Sequence, residues 1–222
     1  MKIITKNTEI SLINEFIDAL SKDVLRKKKR NKRFSLVLTG GKSPRNLYLK
    51  LAKSKIDWSN IDLFWGDERY VSQKSKNSNY KQAFDTLIKK ININKKNLFP
   101  INTKMKNALN SSKNYSNLIK NYFKNKSISF DCFLLGMGID GHIASIFPNS
   151  EELLKKFIAK PVYRKDFKRI TLSLNIINNS KKTIVWLNNK FISKIFNELK
   201  KRGNKLPINN LNKKKTFIYK IN

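Results

Sequence analysis

Short apolar runs alternate with amphipathic segments along this chain, and this alternation is the feature that most limits its fold. The runs at residues 34–38, 61–65 and 130–135 have the length of buried strands, and each leads into a turn that contains glycine. Segments with helical spacing lie between them. Strands that alternate with helices at these lengths predict an α/β fold with a doubly wound, mostly parallel sheet flanked by helices.

The remaining elements are predicted from the same two periodicities. Further strands are expected at residues 98–101, 170–174, 183–187 and 216–221, the last of them at an edge of the sheet. Helices are expected at residues 8–28, from Ser43-Pro44 onward, and at 77–90, 114–123 and 192–199. Because no internal repeat or flexible linker separates these elements, a single domain over residues 1–222 is the simplest organisation.

Composition excludes several classes of protein. The chain has 222 residues, 40% of them hydrophobic, which is enough for a sizeable core. No run of eighteen apolar residues occurs, and residues 1–6 lead straight into polar sequence rather than a signal peptide. Cys132 and His142 are the sole cysteine and histidine, so an internal disulfide and a zinc finger are both excluded. We therefore expect a soluble, cytoplasmic protein that does not enter a membrane.

The net charge of +33 raises the question of a nucleic-acid partner, since lysine and arginine neutralise phosphates. The basic residues are 40 Lys and only 8 Arg, and they accompany 29 Asn and 26 Ile. Lys, Asn and Ile have A/T-rich codons, so an AT-rich genome would enrich all three without selection for a partner. Arginine, which recognises phosphate and guanine through two hydrogen bonds, is scarce. Compositional drift is the favoured interpretation, and polyanion binding stays an alternative.

Three loops that follow predicted strands contain the informative polar residues, because ligands of open α/β sheets bind outside the carboxyl ends of the strands. The first loop, residues 39–45, reads T-G-G-K-S-P-R. Its two glycines let backbone N–H groups approach an anion closely. It matches neither the Walker nor the dinucleotide-binding pattern, so a plain strand–helix connection is the alternative.

The second and third loops contain the candidate catalytic groups. The second loop, residues 65–71 (W-G-D-E-R-Y-V), places two carboxylates beside Arg69, either as an ion pair that stiffens the loop or as part of a ligand site. The third loop, residues 135–148 (L-G-M-G-I-D-G-H-I-A-S-I-F-P), has three glycines in six residues and presents Asp140 and His142. A histidine in such a loop is a candidate general base.

Together the three loops resemble the 6-phosphogluconolactonase family, within the glucosamine-6-phosphate isomerase/deaminase-like superfamily. That family reads S-G-G-x-[ST]-P, then W-G-D-E-R-x-V with a following S-N-Y, then L-G-M-G-x-D-G-H-x-A-S-x-F-P. This chain has the corresponding residues in the same order, including Ser78-Asn79-Tyr80, and residues 169–172 resemble a later R-I-T-L strand. The match fades towards both ends, where the customary C-terminal W-x-x-D-x-A-A is replaced by residues 217–221.

The resemblance implies the superfamily's Rossmann-like fold and a hydrolase that opens 6-phospho-D-glucono-1,5-lactone to 6-phosphogluconate. It also implies independence of metals and organic cofactors, which agrees with the absence of any metal-ligand spacing in the sequence. The partner would be the phosphosugar lactone, with no specific nucleic acid and no membrane, and the protein would be a monomer or homodimer.

The same resemblance assigns roles to individual residues. His142 would be the general base, Asp140 and Asp67 would orient groups in the site, and Arg69 would hold substrate oxygens or stabilise developing charge. The substrate phosphate would lie against the first loop and be assisted by cations further along the chain. The predicted phosphate-binding residues are Gly40, Gly41, Lys42, Ser43, Arg169 and Lys190.

The sequence is also compatible with two rival functions. An amino-sugar-phosphate isomerase/deaminase shares the superfamily fold, but its pattern has D-E-Y after the second strand and F-N-E-P after the histidine. Arg69 and the A-S-I-F-P at residues 144–148 favour the lactonase. The other rival is a sugar-phosphate or nucleic-acid binding protein that kept the fold and lost catalysis.

Overall fold

The described residues form a main sheet of seven strands, and all of its pairings are parallel. The computed structural model describes residues 1–153, 156–199, 201 and 206–222. Across the sheet the order is β1 (Lys2–Lys6), β10 (Thr216–Ile221), β9 (Thr183–Leu187), β6 (Cys132–Leu135), β2 (Phe34–Leu38), β3 (Ile61–Trp65) and β5 (Leu98–Phe99). The parallel sheet predicted from the sequence is confirmed.

A second, three-stranded sheet was not predicted. It is antiparallel and consists of β4 (Asp67–Arg69), β8 (Lys168–Leu172) and β7 (Ala159–Tyr163), in that order. The second loop therefore contains a strand. The strand predicted at residues 170–174 starts earlier and ends at Leu172, because the Ser173 side chain caps a following helix.

In the part of the chain that the structure describes, six helices flank the sheets: α1 (Glu9–Lys28), α2 (Arg45–Leu51), α3 (Asn79–Thr86), α4 (Ala108–Tyr122), α5 (Leu174–Asn179) and α6 (Lys190–Leu199). Single turns of 3₁₀ helix lie at Trp58–Asn60, Ile88–Lys90, Lys95–Asn97, Glu151–Leu153 and Pro207–Asn210. Helix α4 starts six residues before its predicted position, since Asn107 caps it by accepting the N–H of Asn110 at 2.8 Å. Among the described residues, no helix is both long and apolar enough to cross a membrane.

The carboxyl-terminal strand lies inside the sheet rather than at its edge. β10 pairs with β9 on one side and with β1 on the other, so the prediction of an edge strand at residues 216–221 was wrong. The edge is β1, which the apolar pattern did not reveal because lysines stand at both of its ends. Its five residues carry too weak a strand signal to be recognised without their partner.

The core is formed by the central strands. Every residue of β2, β3, β6 and β9 is buried, as parallel strands covered on both faces require. Helix α1 packs Leu12, Ile13, Phe16, Leu20 and Val24 into this core. Ile10, which precedes Ile13 by three residues on the same helix, is nevertheless 61% exposed. The order β6, β2, β3 places the carboxyl ends of these strands side by side, and the three candidate loops follow from there.

Candidate active site

The three loops are bonded to one another at the carboxyl edge of the sheet. The backbone N–H of Gly136 in the third loop donates to Thr39 Oγ1 in the first loop at 3.2 Å. Ser145 Oγ in the third loop donates to Asp67 Oδ2 in the second loop at 2.7 Å. The three segments that the sequence singled out therefore meet at one edge of the sheet.

His142 and Asp140 form a hydrogen-bonded pair in the third loop. Asp140 Oδ1 lies 2.6 Å from His142 Nδ1 and accepts the backbone N–H of His142 at 3.1 Å. Partial burial raises the pKa of Asp140, but the hydrogen bonds from His142 outweigh it and leave this pKa below its ordinary value. An ionised Asp140 fixes the imidazole proton on Nδ1 and leaves Nε2 as a proton acceptor. The His142 side chain is 34% exposed, so a ligand can reach it.

The backbone of the third loop is shaped around this pair. A Cβ atom on Gly138 would lie 2.2 Å from ring atoms of His142 and 2.7 Å from Asp140 Oδ1, so only glycine leaves room for both side chains. Gly141 and Ala144 have φ angles of +86° and +49°. Such a conformation costs a residue with a Cβ about 1–2 kcal/mol, so Ala144 is held in it by its surroundings.

An aromatic ring connects His142 to two arginines. The His142 and Phe147 rings are 4.7 Å apart between centroids. The guanidinium carbons of Arg164 and Arg169 lie 4.3 Å and 5.6 Å from the centroid of the same Phe147 ring. Two arginines and His142 therefore contact the same ring, which places positive charge near the site, as suits an anionic substrate.

Arg169 is already engaged by a carboxylate. Its Nη1 and Nη2 donate to the two oxygens of Asp166 at 2.7 Å and 2.6 Å, and Nη1 also donates to the Phe167 carbonyl at 3.1 Å. This bidentate ion pair holds the pKa of Asp166 well below its usual range. The predicted contact between Arg169 and a phosphate would have to compete with Asp166.

Asp67 lies beneath the site and connects its parts. Its side chain is buried, and its Oδ1 accepts Asn79 Nδ2 at 3.1 Å while its Oδ2 accepts the hydroxyl of Ser145. Asn79 Nδ2 also donates to the Asp67 carbonyl at 2.9 Å. These bonds join the second loop to α3 and to the third loop.

Glu68 holds the start of α3. Its carboxylate accepts backbone N–H groups of Arg69, Asn79 and Tyr80 at 2.7–2.8 Å and the Ser78 hydroxyl at 3.0 Å. Burial raises the pKa of Glu68 to about 7, because these hydrogen bonds offset only part of the cost of burying the charge. The sequence allowed an ion pair between Glu68 and Arg69. In the structure, Glu68 instead accepts the backbone N–H of Arg69.

Arg69 and the first loop form another side of the site. Arg69 Nη1 donates to the Asn77 carbonyl at 3.0 Å, and in the second sheet Arg69 stands opposite Arg169. Gly41 and Lys42 line the same cavity as Arg69. Gly40 packs against α3, where a Cβ atom would lie 1.8 Å from Asn79 Oδ1. The glycine at this position is therefore required by the close approach of α3.

Ser43 and Lys190 are the other predicted phosphate-binding residues. Ser43 is half-buried in the first loop, at the end that leads into α2. Lys190 is the first residue of α6, exposed, and follows the carboxyl end of β9. A fourth strand-end loop thus reaches the same edge of the sheet. Among the described residues, no three of His, Cys, Asp and Glu are grouped so that they could hold a metal ion.

Sequence reasoning did not assign roles to Asn79, Ser145 or Phe147. All three lie in the quoted motifs, in S-N-Y and in A-S-x-F-P. Asn79 and Ser145 bond to Asp67, and Phe147 packs on His142. These contacts depend on how the loops meet in space, which spacing along the chain does not reveal.

Fold and site together define an α/β protein with a candidate catalytic histidine at the carboxyl edge of a parallel sheet. Residues 7–219 match the family model described as "Glucosamine-6-phosphate isomerases/6-phosphogluconolactonase". The chain belongs to this family.

Curated relatives support the lactonase branch of that description. A 6-phosphogluconolactonase of Nostoc sp. is 35% identical over 160 residues, covering 70% of this chain and 67% of the relative. One of Chlamydia pneumoniae is 34% identical over 182 residues, covering 78% and 68%. One of Synechocystis sp. is 32% identical over 154 residues, covering 68% of this chain and 64% of the relative. The matched stretch thus spans about two thirds of each relative.

Solved structures share the fold over nearly the whole chain. The 6-phosphogluconolactonase of Thermotoga maritima has a TM-score of 0.87 at 24% identity and covers 99% of this chain and 98% of its own. A monomeric glucosamine-6-phosphate deaminase has a TM-score of 0.84 at 17% identity, with coverages of 100% and 97%. Because both activities occur on this fold, the residues of the site have to discriminate between them.

Proposed function

We propose that this protein hydrolyses 6-phospho-D-glucono-1,5-lactone to 6-phospho-D-gluconate, the second step of the oxidative pentose phosphate pathway. The observation that carries the proposal is the His142–Asp140 pair, set by Gly138 in an accessible loop beside arginines. The curated relatives named 6-phosphogluconolactonase support the same substrate. Arg69 and the A-S-I-F-P segment favour lactone hydrolysis over isomerisation or deamination of an amino sugar.

His142 acts as general base and then as general acid. Its Nε2 takes a proton from water as the water oxygen attacks the lactone carbonyl carbon, and a tetrahedral oxyanion forms. The bond to the ring oxygen then breaks, and Nε2 returns the proton to that oxygen, which leaves the open-chain acid. Asp140 keeps the second imidazole proton on Nδ1 throughout. A positioned base of this kind contributes about 10²–10⁴ in rate.

Cationic groups hold the negative charges of the substrate and the transition state. Arg69 stabilises the developing oxyanion or holds substrate oxygens. The phosphate lies against Gly40, Gly41 and Ser43, with Lys42, Lys190 and Arg169 as further partners. The proposal includes no metal ion and no organic cofactor, a cytoplasmic location and a monomer or homodimer.

A direct assay tests the reaction class. Purified protein should release acid from fresh 6-phosphogluconolactone above the spontaneous rate, equally with and without excess chelator, and should release no ammonia from glucosamine 6-phosphate. Ammonia release would favour the isomerase/deaminase, and loss of turnover with chelator would contradict metal-independent catalysis.

A His142→Asn variant tests the general base. Asparagine keeps a similar volume but takes no proton at neutral pH, so kcat should fall by about 10²–10⁴ while circular dichroism stays unchanged. In the wild type, kcat/KM should fall on the acidic side, because a protonated base accepts no further proton, and the variant should lose this dependence. Near-normal kcat in the variant would transfer the role to a carboxylate.

A further inference from the structure

A basic cavity lies beside the candidate active site, between the first loop, the segment after β4 and helix α3. Its volume is about 620 Å³, within the range of pockets that hold whole small molecules. Gly41 and Arg69 form the side that faces the site, and Lys74 and Lys76 come from the segment that leads to α3. The proposed function uses only the Gly41, Lys42 and Arg69 side of this cavity.

The cavity has a large excess of positive charge. Six cations and one carboxylate, Asp85, line it, whereas the whole chain has 48 cations to 15 carboxylates. Asp85 is paired with Lys81 inside the cavity and also with Lys89, at 3.4 Å. No carboxylate of the described residues lies within ion-pair distance of the other five cations. These are Lys42, Arg45, Arg69, Lys74 and Lys76.

Hydrogen bonds fix the walls of the cavity. Gln82 in α3 donates to the carbonyl of Gly41, which fastens the first loop to the helix. Arg69 fastens the other wall by donating to Asn77 at 3.0 Å, and two turns set the backbone around Lys74 and Lys76. Ser75 N–H donates to the Ser72 carbonyl at 2.9 Å to close the first of these turns. The lysine backbone is therefore held in place even though the side chains are exposed.

We propose that this cavity binds a small molecule with two or more linked phosphate groups. One phosphate carries at most two negative charges near neutral pH, which leaves most of the five unpaired cations uncompensated, whereas a linked pair of phosphates spans and neutralises more of them. The described lining residues include no aromatic ring, so recognition rests on the phosphates rather than on a base. Linked phosphates, free or as part of a nucleotide, are the shared chemistry.

The position of the cavity implies an effect on catalysis. Gly41, Lys42 and Arg69 belong both to this cavity and to the proposed lactone site, so a bound diphosphate excludes the phosphate of the lactone. Competitive inhibition by such ligands is therefore expected, and this part of the inference rests on the proposed function. The binding itself does not.

Calorimetric titration at about 150 mM salt tests the binding directly, since distant charges are largely screened there. Inorganic pyrophosphate should bind at least about tenfold more tightly than orthophosphate. The double variant Lys74→Glu and Lys76→Glu should weaken pyrophosphate binding by at least about tenfold, because two charged contacts are lost. The matched control is Lys213→Glu with Lys214→Glu, two exposed lysines that precede β10, at the amino ends of the parallel strands rather than at their carboxyl ends. Each pair changes the net charge by four units, from +33 to +29.

The outcomes separate the cavity from the total charge and from the proposed reaction. Equal weakening in both double variants, or equal affinity for the two anions, would overturn the proposal. Binding of a DNA oligonucleotide that depends on Lys74 and Lys76 without pyrophosphate binding would overturn it in favour of a nucleic-acid surface. Site-specific pyrophosphate binding in a protein without lactone turnover would support the cavity and contradict the proposed function instead.

Discussion

Gly138 determines where the candidate base can lie. An added methyl group would be 2.2 Å from His142 Cε1 and Nδ1, far inside van der Waals contact. The imidazole is a side chain at a partly exposed site, so the ring can swing away while the core stays intact. Gly138→Ala should therefore lower kcat by about 10²-fold through displacement of the base, with little change in Tm.

Gly136 provides the matched control two residues earlier in the same loop. A Cβ atom there would meet only Thr39 Oγ1, at 3.8 Å, which is ordinary contact. Gly136→Ala should keep kcat within about twofold of wild type. Steady-state kinetics and thermal denaturation of both variants test this prediction. Equal kcat values in the two variants would contradict the positional argument.

Individual residues were predictable where chemistry and chain position coincide. His142 and Asp140 stand two residues apart in a glycine-rich loop after a buried strand, and the structure has them bonded as a pair. The surroundings of Asp67 were not predictable, because its partners Asn79 and Ser145 come from distant segments. The pairing of Arg169 with Asp166 arises in the turn between β7 and β8, a hairpin that no pattern in the sequence indicated.

At the scale of elements, Glu68 joins β4 to the start of α3. A glutamine at this position would point the two N–H donors of its amide at neighbours that also donate. A neutral carboxyl points a single O–H donor at them. Glu68→Gln should therefore lower the free energy of unfolding by about 1–3 kcal/mol at pH 5. Glu15→Gln, which breaks a half-exposed ion pair with Lys6 at 3.1 Å, should change it by less than about 0.5 kcal/mol.

The Glu68 carboxyl also makes the stability of the folded protein depend on pH, in a direction that follows from its raised pKa. Burial raises the pKa of Glu68 from 4.5 to about 7, so between these values the folded protein holds a proton that the unfolded chain releases. The stability from this group is present below about pH 4.5 and is lost as the pH rises to 7. Urea denaturation at several pH values should show the wild-type advantage over Glu68→Gln narrowing across this window. A constant difference would contradict the raised pKa.

Which elements the sequence predicted depends on how they are buried. Strands β2, β3, β6 and β9 are covered on both faces, so their apolar runs stand out, and α1 shows its buried face every three to four residues. Strand β4 has three charged residues and exists because β8 pairs with it, so it carries no apolar pattern. Strand β1 is recognisable only through its pairing with β10, at the other end of the chain.

At the scale of the whole molecule, the net positive charge reflects either a macromolecular partner or compositional drift. The described carboxylates are largely committed to local ion pairs: Asp131 with Lys27 and Lys181, both at 2.7 Å, and Asp62 with Arg33 at 2.8 Å. The lysines occur throughout the chain rather than in one block. Dispersed lysines attract phosphate backbones without reading base edges, which is the behaviour expected of compositional drift.

Drift therefore predicts a specific salt dependence. Binding to duplex DNA, measured by fluorescence anisotropy, should be independent of sequence and should fall by several orders of magnitude between about 50 and 200 mM salt, as displaced counterions compete for the phosphates. The Lys213→Glu and Lys214→Glu variant should weaken it about as much as the Lys74→Glu and Lys76→Glu variant, because each pair removes the same charge from a diffuse surface. Tight binding of one sequence at physiological salt, lost only when one of these pairs is changed, would contradict drift, since sequence discrimination requires a localised surface that contacts the bases.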